Sequence, residues 1–283
     1  LVSYMQRFVG YAITGSTQEQ AFAVLVGSGA NGKSVFTRAL HEVFGDIIGV
    51  ASFSAFEMKG AGASTADLAS LRGKRLVLAQ EGEKSRPMAE AVLKRATGGD
   101  RLTCRFLYRE SFSYLPKFKL IMAVNIRPRL SDKDQAMWDR IHLIPFTVRI
   151  TEDKLIPQEL LLSNFQKEMG GILNWAVEGC NKWQKDGLKK PDSVIEATNE
   201  YKADVDPTSL WIETRYTGNQ QDTVPTGLLF DDFTKFAREN DIQLEPTFDS
   251  RKFGNTVMKK YKSKPKRIEG ELAKHYFGFR LPN

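Results

Sequence analysis

The 283-residue chain has an ordinary globular composition, with 41% hydrophobic and 27% charged residues, enough for one large domain or two smaller ones. No apolar run approaches the roughly 20 residues of a membrane span, and no signal segment opens the chain, so we expect a cytoplasmic protein without a membrane partner. Cys104 and Cys180 are too few for a disulfide framework or a cysteine zinc site.

The charge of the chain is unevenly distributed. Residues 250–283 contain ten Lys or Arg and two Glu, a net charge of +8, whereas the rest of the chain sums to −1. Aromatic residues interleave these charges, which favours folded structure over a solvated tail. A concentrated basic patch predicts contact with a polyanion, nucleic acid first.

A phosphate-binding loop is the strongest motif. Residues 27–34 match G-x-x-x-x-G-K-[ST], the apolar run 22–26 predicts a buried parallel strand before the loop, and the apolar spacing in 35–44 predicts a helix after it. A chance glycine-rich turn is the alternative, but it would lack these flanks. Loop N–H groups and the helix N-terminus suit a polyphosphate, with Lys33 at the β and γ phosphates and the Ser34 hydroxyl on Mg²⁺. The predicted ATP-binding residues are Gly27, Ser28, Gly29, Ala30, Asn31, Gly32, Lys33, Ser34 and Val35.

Acidic residues follow a second predicted buried strand, residues 75–80. Glu81 and Glu83 come directly after this strand, and an ATPase needs one carboxylate for the Mg²⁺ shell and one to polarise the attacking water. We assign Glu81 to the metal and Glu83 to the water, although the sequence leaves the order open. A surface turn is the alternative.

Two further polar residues flank predicted buried strands. Asn125 ends the apolar strand 119–125, where its amide could orient the lytic water, touch the γ-phosphate or merely cap a turn. Arg140 precedes the apolar strand 141–146. An arginine at a subunit boundary can neutralise the transferring phosphoryl group of a neighbour's nucleotide; a structural salt bridge is the alternative.

A β-hairpin is predicted over residues 102–118, with Arg109-Glu110-Ser111 near its tip. Its alternating basic and aromatic residues suit a nucleic-acid strand, because cations meet phosphates while rings meet bases. A plain surface hairpin with solvated arginines is the alternative.

These motifs together resemble the superfamily 3 helicases, most of all the primase-helicases of phages, plasmids and poxviruses, over roughly residues 1–205. In chain order they are the loop with Asn31, Glu81-x-Glu83, Gly98-Gly99-Asp100 with the hairpin, Ala123-Val124-Asn125-x-x-Pro128-Arg129, and Trp138-x-Arg140-Ile141-x-Leu143-Ile144-Pro145-Phe146.

The resemblance implies a fold, an assembly and partners. It implies an α/β AAA+ P-loop ATPase core with a parallel central sheet flanked by helices, in a homo-oligomeric, hexameric ring that translocates on single-stranded DNA through a central pore. It also implies an upstream primase or polymerase domain, which agrees with a chain that begins at Leu1 rather than methionine.

The resemblance also assigns roles to residues. Lys33 and Ser34 match the Walker A lysine and hydroxyl, Glu81 and Glu83 the Walker B pair, Asn125 the sensor and Arg140 the arginine finger, with Arg129 a second candidate for the last role. The hairpin matches the pore hairpin, but relatives often place Lys or His where this chain pairs Arg109 with Glu110. Which residue holds phosphate is therefore open, and Arg105 or Lys117 could share the task.

The pattern breaks at Asp206-Pro207, so we predict a helicase domain with a short N-terminal helix over 1–205 and a separate domain over 206–283. Helices followed by two short basic strands resemble a winged-helix module, which can hold duplex DNA; a basic oligomer-contact domain is the alternative. Asp249-Ser250 is predicted to cap the second of these helices. The predicted DNA-binding residues are Arg105, Tyr108, Arg109, Lys117, Arg251, Lys252, Lys259, Lys260, Lys266 and Arg267.

The sequence thus favours an ATP-dependent DNA helicase motor of a phage or plasmid-type replication protein, located in the host cytoplasm if phage-encoded. Its predicted cofactors are ATP and Mg²⁺, its catalytic residues Lys33, Glu81, Glu83, Asn125 and Arg140, and its metal ligands Ser34 and Glu81. A kinase-type enzyme, and a DNA-binding or origin-recognition module whose ATP site only controls assembly, remain alternatives.

Overall fold

The structure is a computed structural model that describes residues 1–60, 63–80, 87–130, 135–205, 207–219, 221–239, 244, 248–261, 266–267 and 274–281. The chain divides into two compact units, Leu1–Asn199 and Glu200–Asn283. The predicted boundary near 205 coincides with the end of a helix that begins in the first unit. None of the helices in the described ranges combines the length and apolar composition that a membrane span requires.

A parallel sheet forms the centre of the first unit, which confirms the α/β prediction. The strands of this unit are β1 (Phe22–Val26), β2 (Ile48–Ser52), β3 (Leu76–Gln80), β4 (Leu102–Cys104), β5 (Phe112–Tyr114), β6 (Lys119–Val124) and β7 (Ile141–Pro145). In the described residues the five strands of the parallel sheet are ordered β2-β3-β6-β1-β7, and β1 lies between β6 and β7. Strands β1, β3 and β6 are almost wholly buried, as their continuous apolar runs predict.

Helices cover the sheet. They are α1 (Val2–Ala12), α2 (Lys33–Phe44), α3 (Ala66–Ala69), α4 (Glu90–Gly98), α5 (Gln135–Trp138), α6 (Gln158–Lys167), α7 (Met169–Asp186) and α8 (Asp192–Val205), with short 3₁₀ turns at Gly45–Ile47, Phe53–Phe56 and Glu152–Lys154. Sequence reasoning missed the edge strand β2, because Gly49 and Ser52 leave only a short and broken apolar run.

Helices α1 and α7 cross with their backbones in contact. A Cβ placed on Gly179 would lie 1.9 Å from the Gln6 carbonyl oxygen, and one on Gly10 would lie 2.1 Å from the Cys180 nitrogen. The buried face of α1 joins the core cluster formed with β1, α2 and α7, and the Tyr4 hydroxyl bonds His142 on β7. The N-terminal helix is therefore an integral part of the core.

This crossing predicts an asymmetric response to alanine along α7. Gly179→Ala should lower the free energy of unfolding by about 1–3 kcal/mol or more, because the new methyl group meets backbone that has to move. Gly171→Ala on the same helix has open space around it and should leave stability unchanged or raise it by up to about 1 kcal/mol through helix propensity. Urea unfolding of both variants measures the difference; equal effects would contradict the close crossing.

The second unit is a small winged-helix-like fold. Its elements are α9 (Pro207–Arg215), β8 (Thr223–Pro225), α10 (Thr226–Glu239), α11 (Ser250–Tyr261), β9 (Lys266–Arg267) and β10 (Lys274–Phe277). In its described residues the antiparallel strands are ordered β8-β10-β9, around a core that contains Trp211, Phe233, Phe253 and Phe279. The Asp249 carboxylate accepts hydrogen bonds from the N–H groups of Arg251 and Lys252, so it caps α11 as predicted.

Candidate functional site

The glycine loop between β1 and α2 depends on backbone conformations that most residues avoid. Gly29 and Gly32 have φ of 100° and 86°, which glycine adopts at little cost, and Ala30 has φ of 49°. A Cβ on Gly27 would lie 2.1 Å from the Asn31 amide nitrogen and 2.4 Å from the Phe146 carbonyl oxygen. The loop therefore turns tightly and packs directly against the chain that leaves β7.

Asn31 connects the loop lysine to that chain. Its Nδ2 donates to the Phe146 carbonyl oxygen at 2.9 Å, and its Oδ1 accepts from Lys33 Nζ at 2.9 Å. Lys33 Nζ also donates to the Gly27 carbonyl oxygen at 2.6 Å. These bonds hold the buried ammonium over the loop at the first residue of α2, where the helix N-terminus also favours an anion.

A cavity of about 540 Å³ opens beside this loop. Residues 29 to 35 line it, whereas Gly27 and Ser28 do not. Among the described residues, the others that line it are Gln80 at the end of β3, Ala123 and Asn125 at the end of β6, and Ile150, Lys154, Leu155, Ile156 and Leu161. Because parallel strands end at the same edge of a sheet, residues far apart in the chain meet here.

The predicted acidic pair, Glu81 and Glu83, lies outside the described residues. The residue before the pair, Gln80, lines the cavity, and its Nε2 donates to Thr37 Oγ1 of α2 at 3.3 Å. The exposed Ser34 also lines the cavity. Mg²⁺ commonly takes one or two protein oxygens and completes its shell with phosphates and water, so a serine hydroxyl here fits such an ion.

Arg140 lies at the amino-terminal ends of the strands, whereas the glycine loop lies at their carboxyl ends. Arg140 precedes β7, and its carbonyl oxygen accepts from the N–H of Phe22 at the start of β1, whereas the loop follows the end of β1. The five residues of β1 separate these two places by about 13 Å. The Arg140 guanidinium donates to the Ala136 carbonyl oxygen and to Gln20 Oε1, and its Nε is buried without a partner in the described residues. Arg140 is thus remote from the cavity of its own chain.

The predicted hairpin is present but shorter than predicted. Strands β4 and β5 pair antiparallel from Leu102 and Tyr114 to Cys104 and Phe112, and residues 115–118 are irregular. The Phe106 ring stacks on Phe112 with centroids 5.8 Å apart, and the Arg72 guanidinium lies 5.4 Å from the centroid of the Phe112 ring. The base of the hairpin is therefore firmly attached to the first unit.

Tyr108 forms the tip of the hairpin, one residue before the predicted tip. Its side chain is fully exposed and its φ of 58° is unusual for a residue with a bulky side chain. Arg105, Arg109 and Lys117 are also exposed. A strained, fully exposed aromatic residue between two arginines makes little contribution to folding, and strain of this kind is concentrated at functional sites.

The conformation of Tyr108 predicts how substitutions in the hairpin change the free energy of unfolding. Tyr108→Gly should keep or raise the free energy of unfolding, by up to about 1 kcal/mol, because glycine adopts positive φ without strain. Phe112→Ala should lower it, because it removes the ring that packs against Phe106 and Arg72. Thermal unfolding of both variants checks the contrast, and a destabilised Tyr108→Gly would mean that the ring packs in solution.

The basic residues of the second unit fall on two elements. Arg251, Lys252, Lys259 and Lys260 lie on α11, and Lys266 and Arg267 form β9. Arg251 and Lys252 are exposed on the first turn of α11. These cations therefore lie on the helix and strand to which the winged-helix hypothesis assigns DNA contact.

A glycine loop between a buried parallel strand and a helix, at the carboxyl edge of a sheet of this strand order, defines an AAA+ P-loop fold. Comparison with known proteins finds a matching family model and viral relatives named as helicases. Residues 25–140 match the model of a protein family of unknown function, DUF5906. The chain is 28% identical over 220 residues to a protein named Putative helicase L207/L206 of Acanthamoeba polyphaga mimivirus, covering 72% of this chain and 23% of the relative.

A second viral relative supports the same resemblance, and a solved structure shares the fold. The chain is 26% identical over 277 residues to Putative helicase 121R of Invertebrate iridescent virus 3, covering 87% of this chain and 29% of the relative. It spans about a quarter of the length of both relatives. The apo structure of the NrS-1 C-terminal region matches 97% of this chain and 71% of its own, with a TM-score of 0.55 and 10% identity. The predicted resemblance to viral-type helicases is confirmed.

Sequence reasoning missed one wall of the cavity. Gln80 carried a signal, as a polar residue at the end of a predicted strand, directly before the acidic pair. Residues 150–161 carried no sequence signal, because they belong to no motif. They reach the loop only through the path that the chain takes after β7. The N–H of Ile150 donates to the Ala30 carbonyl oxygen at 2.7 Å and holds this wall against the loop.

Proposed function

We propose that this chain is the ATP-dependent DNA helicase motor of a viral, phage or plasmid-type replication protein. The observation that carries the proposal is the cavity in which residues 29–35 meet Gln80 and Asn125 at the ends of two neighbouring parallel strands. The names of the viral relatives support the same activity.

Nucleotide binding follows from the loop. Backbone N–H groups of the loop and of the N-terminus of α2 would donate hydrogen bonds to the phosphates, and Lys33 would exchange its bonds with Gly27 and Asn31 for bonds to phosphate oxygens. Ser34 and Glu81 would hold Mg²⁺, which would neutralise charge on the β and γ phosphates. Glu83 would accept a proton from the attacking water, and the Asn125 amide would orient that water.

Hydrolysis is shared between subunits in this proposal. Arg140 lies at the edge of the sheet opposite its own cavity, so it can serve only the nucleotide of another copy. A closed ring, a hexamer in the superfamily 3 pattern, gives every cavity such an arginine from its neighbour. Arg129, which is exposed after β6, is the second candidate for this role.

A mixing experiment tests the shared site. Lys33→Ala and Arg140→Ala should each reduce ATP turnover at least about a hundredfold, the first by removing a phosphate contact and the second the neighbour's cation. When the two inactive variants are mixed before assembly, some boundaries join an intact Lys33 to an intact Arg140, so part of the turnover should return. Turnover is measured as phosphate release, with Lys185→Ala, an exposed lysine on α7, as the control. A fully active Arg140→Ala variant would contradict the shared site.

The hairpin is proposed to hold the DNA strand. The chain runs from β5 through residues 115–118 into β6, and Asn125, which lines the cavity, directly follows β6. One buried strand therefore connects the base of the hairpin to the γ-phosphate position. A shift of Asn125 on hydrolysis would reach the hairpin through this strand and move the bound DNA.

Two hairpin variants separate the kinds of DNA contact. Arg109→Ala should weaken single-stranded DNA binding and lower the slope of log affinity against log salt by about 0.7, since one phosphate contact is lost. Tyr108→Ala should weaken binding by about 1–3 kcal/mol with the slope unchanged, because stacking releases no counterions. Fluorescence anisotropy over a salt series measures both. Unaltered binding in both variants would remove the hairpin from the DNA path.

The basic second unit favours one other function, a DNA-binding assembly module in which ATP controls only oligomerisation. Its exposed Arg251 and Lys252 and the +8 charge of residues 250–283 suit duplex DNA. A forked-duplex assay decides between the two: a motor unwinds the fork with ATP, whereas an assembly module binds the duplex without separating its strands.

A further inference from the structure

Two uncharged acceptors hold the Arg140 guanidinium. Its Nη2 donates to Gln20 Oε1 at 2.9 Å, and its Nη1 donates to the Ala136 carbonyl oxygen of α5 at 2.5 Å. Gln20 lies in the connection between α1 and β1, 120 residues before Arg140 in the chain. Because an amide oxygen and a carbonyl oxygen carry no charge, these bonds orient the cation without cancelling its positive charge.

The backbone of Gln20 is strained, since its φ of 49° is a left-handed conformation that glycine adopts at little cost and a long side chain disfavours. On one side of it, Glu19 Oε1 accepts from Trp183 Nε1 at 2.7 Å. On the other side, the N–H of Phe22 donates to the Arg140 carbonyl oxygen at 2.8 Å. Strain of this kind persists where the surrounding structure enforces it and is concentrated at functional sites. The side chain that incurs the strain is the one that bonds Arg140.

We propose that Gln20 is a positioning residue for Arg140, and that it holds the guanidinium in the orientation that meets the γ-phosphate of a nucleotide bound by a second copy of this chain. The inference rests on the proposed function, in which Arg140 serves the neighbour's nucleotide. Gln20 precedes β1, at the end of that strand away from the glycine loop, so it is remote from the cavity of its own chain. It therefore acts on hydrolysis through Arg140.

The physical gain is a lower conformational freedom of the arginine. A long arginine side chain loses rotamer entropy when it is fixed, and this cost falls on the transition state if the side chain is free until then. The bonds to Gln20 and Ala136 place the cation before charge develops on the transferring phosphoryl group. A freely moving cation would slow hydrolysis without changing the affinity for ATP, because the loop and Lys33 of the other subunit bind the phosphates.

Gln20→Ala tests this role in steady-state turnover. It should lower the kcat of phosphate release about three- to tenfold, as expected for the loss of one exposed hydrogen bond, and leave the dissociation constant of ATP unchanged. Gln18→Ala is the matched control, because Gln18 is exposed on the same connection and bonds the Ser16 hydroxyl through its backbone N–H. A wild-type kcat in Gln20→Ala would overturn the inference.

Gln20→Gly separates this role from folding. Glycine relieves the strain at a φ of 49°, so the melting temperature should stay the same or rise, whereas turnover should fall as it does in Gln20→Ala. Wild-type turnover in Gln20→Gly would mean that the glutamine side chain is not needed, and it would also overturn the inference.

Mixed assemblies show on which chain Gln20 acts. In the mixture of Lys33→Ala and Arg140→Ala chains, the Lys33→Ala chain supplies the arginine of every active boundary. Adding Gln20→Ala to that chain should lower the recovered turnover about three- to tenfold, whereas adding it to the Arg140→Ala chain should change nothing, because that chain has no guanidinium to hold.

The mixture also distinguishes two kinds of failure. Recovered turnover that falls equally with Gln20→Ala on either chain would indicate a general structural effect and would overturn the positioning role, while the shared site stands. If the two chains without the Gln20 change recover no turnover, the shared site itself fails, and the role of Gln20 fails with it.

Discussion

The contact between the glycine loop and the chain leaving β7 is the constraint on which the candidate site depends. Only glycine fits at position 27, because the Asn31 amide and the Phe146 carbonyl group occupy the space that a side chain would need. Asn31 then holds Phe146 on one side and Lys33 on the other. One close approach therefore sets the shape of the loop, the place of the lysine and the position of the apolar wall that follows β7.

The parallel sheet adds the remaining groups. Strands β3, β6 and β1 are neighbours, so Gln80, Asn125 and the loop share one edge although they are far apart in the chain. The same geometry places Arg140 at the amino-terminal ends of the strands, away from the loop. The proposed chemistry therefore takes its arginine from a second copy, because Arg140 is remote from the cavity of its own chain.

Backbone strain and exposed apolar surface occur together where ligands are proposed to bind. Ala30 in the loop and Tyr108 at the hairpin tip both have positive φ. Tyr108, Leu155 and Ile156 are exposed although burial would favour each of them. The nucleotide and the DNA strand of the proposed function would cover these exposed side chains. Strand β6, which is buried throughout, follows the hairpin in the chain and leads to Asn125 in the cavity.

The sequence by itself determined the loop, strands β1, β3 and β6, the hairpin and the cap of α11, because each is encoded by neighbouring residues: glycine spacing, continuous apolar runs, or an aspartate before a helix. Only the tertiary structure decided that residues 150–161 form a wall of the cavity, that Tyr108 is the hairpin tip and that Arg140 lies away from its own loop. Those outcomes depend on strand order and on contacts between distant segments, and a local pattern carries no information about which distant segment will pack against it.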